Sequence, residues 1–171
     1  MIILMAGLPG TGKTTLAREL AEHTGGAVLS KDEIRAAIFS PKDIEYSTTQ
    51  DDSVMEVMIQ EARLLLRKDP ARNVFFDGRT FSRRYQIERV LAVAKELDQP
   101  FRIIECICSD ETARRRLDVE RDDSHPAHNR TFALHQKVKG YFEPITYPKT
   151  AVCTDEPLEQ CVLQAMAAIE L

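Results

Sequence analysis

The chain has 171 residues, of which 43% are hydrophobic and 29% charged, with a formal net charge of −4 and a pI of about 5.6. That length suits one domain, read over residues 1–171, with a sizeable core, and the acidic balance excludes a general duplex-binding surface while leaving room for a local basic site. No apolar run is long enough to cross a bilayer, and the sequence enters its first strand at once, so neither a membrane span nor a secretory leader is expected.

The first predicted strand, 2–6, is the apolar run Ile2-Ile3-Leu4-Met5-Ala6. It leads into Gly7-Leu8-Pro9-Gly10-Thr11-Gly12-Lys13-Thr14, which fits the phosphate-binding loop pattern without gap or substitution, followed by Thr15. The glycines permit torsions that a side chain forbids, and successive N–H groups can then curl around a phosphate at a helix N-terminus. In this pattern Lys13 reaches the terminal phosphates of ATP and Thr14 offers a hydroxyl to Mg2+. The helix 13–24 carries the stripe Leu16, Ala17, Leu20, Ala21 and closes at Gly25-Gly26.

Strand 27–30 is followed by Ser30-Lys31-Asp32-Glu33, a capping box for the helix 31–39. Asp32 and Arg35 lie one turn apart on it, at the strand's carboxyl end. A carboxylate there can orient or deprotonate an acceptor hydroxyl; alone it would read as a helix-start acid beside a solvated arginine. The polar stretch from Pro41 to Asp52 reads as a loop, or an acceptor-binding flap, leading into the helix 50–68. Strand 73–77 ends in Asp77-Gly78; the acid suits magnesium, directly or through water, or belongs to a plain Asp-Gly turn. Arg79, Arg83 and Arg84 follow, with Ser82 as the expected cap of the helix 82–97. Cations at a helix start are electrostatically poor, so an anion clamp is the more economical reading.

Strand 101–107 leads to the helix 110–121, with Arg114-Arg115-Arg116 and Arg121, then a polar, proline-broken run and the helix 130–141. This arginine-rich segment, about 110–135, reads as a lid that excludes water and supplies cationic charge to a transferring phosphoryl group; Arg116 and Arg121 are the candidates. His125 and His128 read as loop residues rather than zinc ligands. Strand 150–153 and the helix 157–170, with Pro157 at its start, complete the chain; the loop 154–157 is placed to border a nucleobase. Cys106, Cys108, Cys153 and Cys161 read as reduced thiols, hence a cytoplasmic compartment; a metal at Cys106 and Cys108 lacks a second ligand pair. Short apolar strands alternating with amphipathic helices specify an α/β fold, a three-layer doubly wound parallel sheet of five strands.

Together these residues resemble the small P-loop kinases, the group of adenylylsulfate kinase, gluconate kinase and polynucleotide 5′-hydroxyl kinase. Asp32 with Arg35 is similar to the Asp-x-x-Arg that follows the second strand in several of them. The run Tyr141-Phe142-Glu143-Pro144-Ile145-Thr146-Tyr147-Pro148, with Thr154 and Pro157 to Val162, looks most like adenylylsulfate kinase. Those enzymes usually read Asp-Gly-Asp where this chain has Ser30-Lys31-Asp32, and an Asp-Pro-Lys-Gly stretch where it has Val119 to Asp123. The resemblance implies ATP, Mg2+ and transfer of the γ-phosphate to a hydroxyl of a small acceptor, with a nucleic-acid 5′ end or a nucleotide switch acting on a partner as alternatives. Arg35, Arg79, Arg83 and Arg84 are expected to converge unpaired, and so to demand an anionic acceptor.

Overall fold

A computed structural model describes residues 1–119 and 130–170. In chain order it contains β1 (Ile2–Ala6), α1 (Lys13–Thr24), β2 (Ala27–Ser30), α2 (Lys31–Ile38), a 3-10 turn at Pro41–Asp43, α3 (Thr48–Lys68), β3 (Val74–Asp77) and α4 (Arg84–Glu96). Then follow β4 (Phe101–Ile107), α5 (Asp110–Val119), α6 (Phe132–Lys139), β5 (Thr150–Cys153) and α7 (Leu158–Ile169).

All five residues of β1 are buried, as only a central strand covered on both faces allows. The sheet is entirely parallel in the order β2-β3-β1-β4-β5. Alternate β1 side chains serve two cores. Ile3 and Met5 pack with Leu16, Ala17 and Leu20 of α1 and Cys161 and Ala165 of α7. Ile2 and Leu4 pack with Val54, Met58 and Ala62 of α3 and Ile87 and Val90 of α4. Each wholly buried Leu in these layers stabilises the fold by about 1.5–3 kcal/mol. The layering is therefore helices, sheet, helices, as the alternation implied. β2 and β3 are neighbours with Ser30 opposite Asp77, so the residues just beyond them share one edge of the site.

The helix ends show where local signals held. Gly25 takes φ 62 beyond α1, and the Gly26 N–H donates to the Ala21 carbonyl at 2.8 Å, a left-handed glycine closure. Ser30 accepts from the Glu33 N–H at 3.4 Å, but Glu33 turns away to Arg18 at 2.7 Å, leaving half a capping box. Ser47 caps α3, which starts two residues earlier than expected. Ser82 does not cap α4: that helix begins at Arg84, and its first N–H donates to the Glu143 carboxylate at 2.8 Å. All four cysteines are free, Cys106 and Cys161 buried and Cys108 and Cys153 half-buried. Cys108 lies just past β4. Among the described residues no helix is long and apolar enough to cross a membrane.

Candidate functional site

The loop between β1 and α1 is held by its own backbone. Gly7 has φ 134, and a Cβ there would fall 2.3 Å from the Cys106 carbonyl oxygen, so no side chain fits. Its N–H donates to the Thr80 carbonyl at 3.2 Å, tying the loop to the segment after β3. Gly12, at φ 76, is the N-cap of α1 and provides no side chain to its amides, which suits an anion at that terminus. Thr11 donates to the Leu8 carbonyl at 2.8 Å, and Thr154 donates to the Thr11 carbonyl at 2.9 Å.

Lys13 opens α1 and is only 7% exposed. Its ammonium donates to the Leu8 carbonyl at 2.6 Å. Burial pushes its pKa down to about 8; the Asp77 carboxylate pulls it up, Arg130 pushes it further down, and Asp32 also pulls upward. Asp77 is wholly buried, and neither carboxylate oxygen has a hydrogen-bond partner among the described residues. Burial raises its pKa from the ordinary carboxylate value. The Lys13 ammonium, the Thr14 hydroxyl and the Gly78 N–H oppose that rise without reaching hydrogen-bond geometry on the carboxylate. An unsatisfied buried carboxylate beside a threonine hydroxyl and a phosphate loop is a donor set that fits magnesium, a hard cation taking oxygen ligands.

The loop opens into a cavity of about 880 Å³ lined by Pro9, Lys13, Thr14 and Thr15 together with Asp32, Arg35, Arg79 and Arg83. Asp32 accepts from Arg35 at 3.1 Å, and Arg35 also bonds Asp51 of α3 while lying 5.2 Å from the centre of the Tyr46 ring. Lys31 reaches both Asp51 oxygens at 3.2 Å, and burial lowers its pKa against the pull of Asp51. Arg79, 4% exposed, donates to Asp52 at 2.9 Å and to the Tyr85 hydroxyl at 3.4 Å. Arg83 pairs with Glu143 at 2.9 Å and sits 4.9 Å from the Tyr141 ring centre.

The expectation of four unpaired, converging arginines is corrected on both counts. Arg35, Arg79 and Arg83 converge, but each rests on a carboxylate, because α3 and the segment after α6 deliver acids from far along the chain. Arg84 bonds Glu88 one turn on at 2.8 Å, is 66% exposed at its side chain and is not part of the cavity wall. Crowding of unpaired arginines therefore no longer argues for an anionic acceptor.

Arg116 meets the phosphate loop from the α7 side, donating to the Gly10 carbonyl at 3.4 Å. It donates to the Thr154 hydroxyl at 3.0 Å and the Thr154 carbonyl at 2.6 Å, and lines a smaller cavity of about 260 Å³ with Gly12, Thr15, Leu158 and Cys161. Arg121, His125 and His128 lie outside the described residues. Arg130 lines the large cavity and depresses the Lys13 pKa, so it joins Arg116 as a described lid arginine beside the phosphate loop. Its position in a polar, proline-broken run gave no signal of this; nor did anything mark Asp51 and Asp52, two acids in the first turns of a helix. The chain after Arg130 is anchored by His135, 1% exposed, whose Nδ1 meets the Pro9 carbonyl at 2.8 Å and whose Nε2 lies 3.4 Å from Asp110. Lys139 and Gln136 bond the same Asp110 and hold its carboxyl down to about 2.

Similar architectures are known. The chain matches Chaetomium thermophilum Kti12, solved with ADP-AlF3, at a TM-score of 0.72 and 16% identity over 99% of each chain. It matches a gluconokinase from Sinorhizobium meliloti 1021 at 0.70 and 17%, over 98% of this chain and 90% of that one. The Mycobacterium tuberculosis APS kinase CysC, in complex with AMPPNP and APS, matches at 0.71 and 16%, over 99% and 97%. At these identities the likeness concerns the fold, that of the P-loop kinases. No curated protein matches the sequence. The profile of the AAA domain family matches residues 2–145, the greater part of the chain and all of the phosphate loop, β3 and the described lid helices. With a P-loop on a five-stranded parallel sheet and that match, the chain belongs to the AAA domain family.

Proposed function

We propose that the protein is an ATP-dependent phosphotransferase that moves the γ-phosphate of ATP to a hydroxyl of a small acceptor. The carrying observation is one continuous cavity lined by Lys13, Thr14 and Asp32, the last a carboxylate close enough to act on the Lys13 ammonium. The α1 amides and Lys13 bind the phosphates. Thr14 and Asp77 would hold magnesium, which when bound offsets charge on the phosphates. Asp32 accepts the hydrogen bond of the acceptor hydroxyl and orients or deprotonates it. The acceptor oxygen forms its bond to γ-phosphorus as the bond to the bridging oxygen breaks, the proton leaves toward Asp32, and ADP keeps the electron pair. Arg130 sits where charge on the transferring group develops. The smaller cavity beyond Gly12, with Arg116 and Leu158, takes the nucleobase.

Two measurements test this reading. ATP turnover should be slow alone and accelerate with a member of a metabolite panel that includes a 5′-hydroxyl oligonucleotide. Turnover equally fast without any acceptor would identify an ATPase or switch instead. Asp32→Asn should lower accelerated turnover by roughly 10²–10⁴ with little change in ATP affinity, the usual contribution of a positioned base. A fall of less than about threefold would leave Asp32 as a helix-start acid.

A further inference from the structure

The acceptor end of the large cavity carries paired charges. Among the described residues there, Lys31 rests on Asp51, Arg35 on Asp51 and Asp32, Arg79 on Asp52, and Arg83 on Glu143. Arg35 and Arg79 are 2% and 4% exposed, so their pairs lie in surroundings where separating partners leaves an uncompensated buried charge. Tyr46 and Tyr141 stand against two of the guanidinium groups. A phosphate, sulfate or carboxylate entering this end would have to displace one of these acids or lie beside it. Side by side, however, a guanidinium and a carboxylate present a donor next to an acceptor, and each hydroxyl of a polyol both donates and accepts.

We infer that this site takes an uncharged, polyhydroxylated acceptor, read by the Arg35–Asp51 pair and by Arg79, which Asp52 holds from behind the cavity wall, while one hydroxyl faces Asp32. This rests on the phosphotransferase reading and names its substrate class. A dianion is excluded by Asp51 and Asp52, which occupy the arginines it would need. Asp52 is the sharper determinant, because Arg79 donates to no other carboxylate among the described residues, whereas Arg89, which also meets Asp52 at 3.4 Å, has Glu56 as well.

The test uses the full chain saturated with a non-hydrolysable ATP analogue and magnesium, so that the phosphate loop is filled, and inorganic sulfate as the probe. Analogue binding is measured first; if it is absent, or unaffected by Lys13→Ala, the phosphotransferase reading fails on its own. With the analogue bound, calorimetry should detect no saturable, Arg79-dependent sulfate site in the unaltered protein. Asp52→Asn should tighten sulfate roughly tenfold or more by freeing a buried guanidinium, and adding Arg79→Ala should abolish the gain. An Arg79-dependent sulfate site in the unaltered protein would overturn the inference, as would an Asp52→Asn protein that melts normally and gains none. In parallel, neutral sugars, polyols and nucleosides should accelerate ATP turnover more than their phosphorylated or carboxylated counterparts. The reverse order would overturn it too.

Discussion

Replacing Asp77 by Asn should stabilise the nucleotide-free protein while removing its response to magnesium. The side chain is wholly buried, both oxygens lack partners among the described residues, and its pKa is raised, so the fold disfavours the ionised form relative to the unfolded chain. Leaving a buried polar group unsatisfied costs about 1–3 kcal/mol, and for a chain of this length each kcal/mol moves Tm by about 2–4 °C. The nearby Lys13 ammonium offsets part of that cost, which places the gain at the lower end, about 2–6 °C. The sign fixes the pH dependence. An acid whose folded pKa is raised contributes stability below its unfolded value of 3.8, and that contribution is lost as pH rises through the folded value. The variant's advantage is therefore absent at acid pH and appears on the way to neutrality. Differential scanning fluorimetry across pH, with and without ATP and magnesium, measures both effects. An Asn variant that melts lower than the parent at neutral pH, or that still gains the parent's full stabilisation from magnesium and ATP, would refute the reasoning.

Other consequences are as direct. With Lys13 near 8 in the free protein, triphosphate binding should draw a proton onto it; affinity for ATP should be flat below neutrality and fall by up to about tenfold per pH unit above that value, as calorimetry across pH would show. Gly7→Ala should abolish nucleotide binding or folding outright, since its Cβ meets the Cys106 carbonyl at 2.3 Å; soluble expression and melting distinguish the two, and an unperturbed variant would contradict the loop geometry. Arg84→Ala, by contrast, should leave turnover and acceptor KM unchanged, because its pair with Glu88 is exposed and outside the cavity.

What the sequence revealed divides along the distance between interacting residues. The loop from Gly7 to Thr14, the strands and the helix stripes are local patterns with one physical meaning, and the structure follows them closely. Asp32 was also legible, because a strand's carboxyl end and a helix start fix it within three residues of each other. The charge state of the site was not. Arg35 meets Asp51 across 16 residues and Arg79 meets Asp52 across 27, and no periodicity records which acids α3 will carry to that edge. Ser82 misled for the same reason: a good local cap yields when a distant carboxylate reaches the same amide. Arg116 reads as a lid residue; α5 sets it on both the Gly10 carbonyl and Thr154, a double contact that local pattern does not record.

The clasp of Glu143 on α4 has a kinetic side. Its two carboxylate oxygens engage the Arg83 side chain and the Arg84 N–H, and its own N–H donates to the Ser82 carbonyl at 2.9 Å. All three bonds join segments about 60 residues apart, so α4 starts to form without the group that closes its first turn. Closing so long a loop carries an entropic cost that local contacts repay only once both ends are structured. The wall that bears Arg83 is accordingly tied to the segment after α6, so loss of the Glu143 carboxylate should free the first turn of α4 and speed hydrogen exchange there.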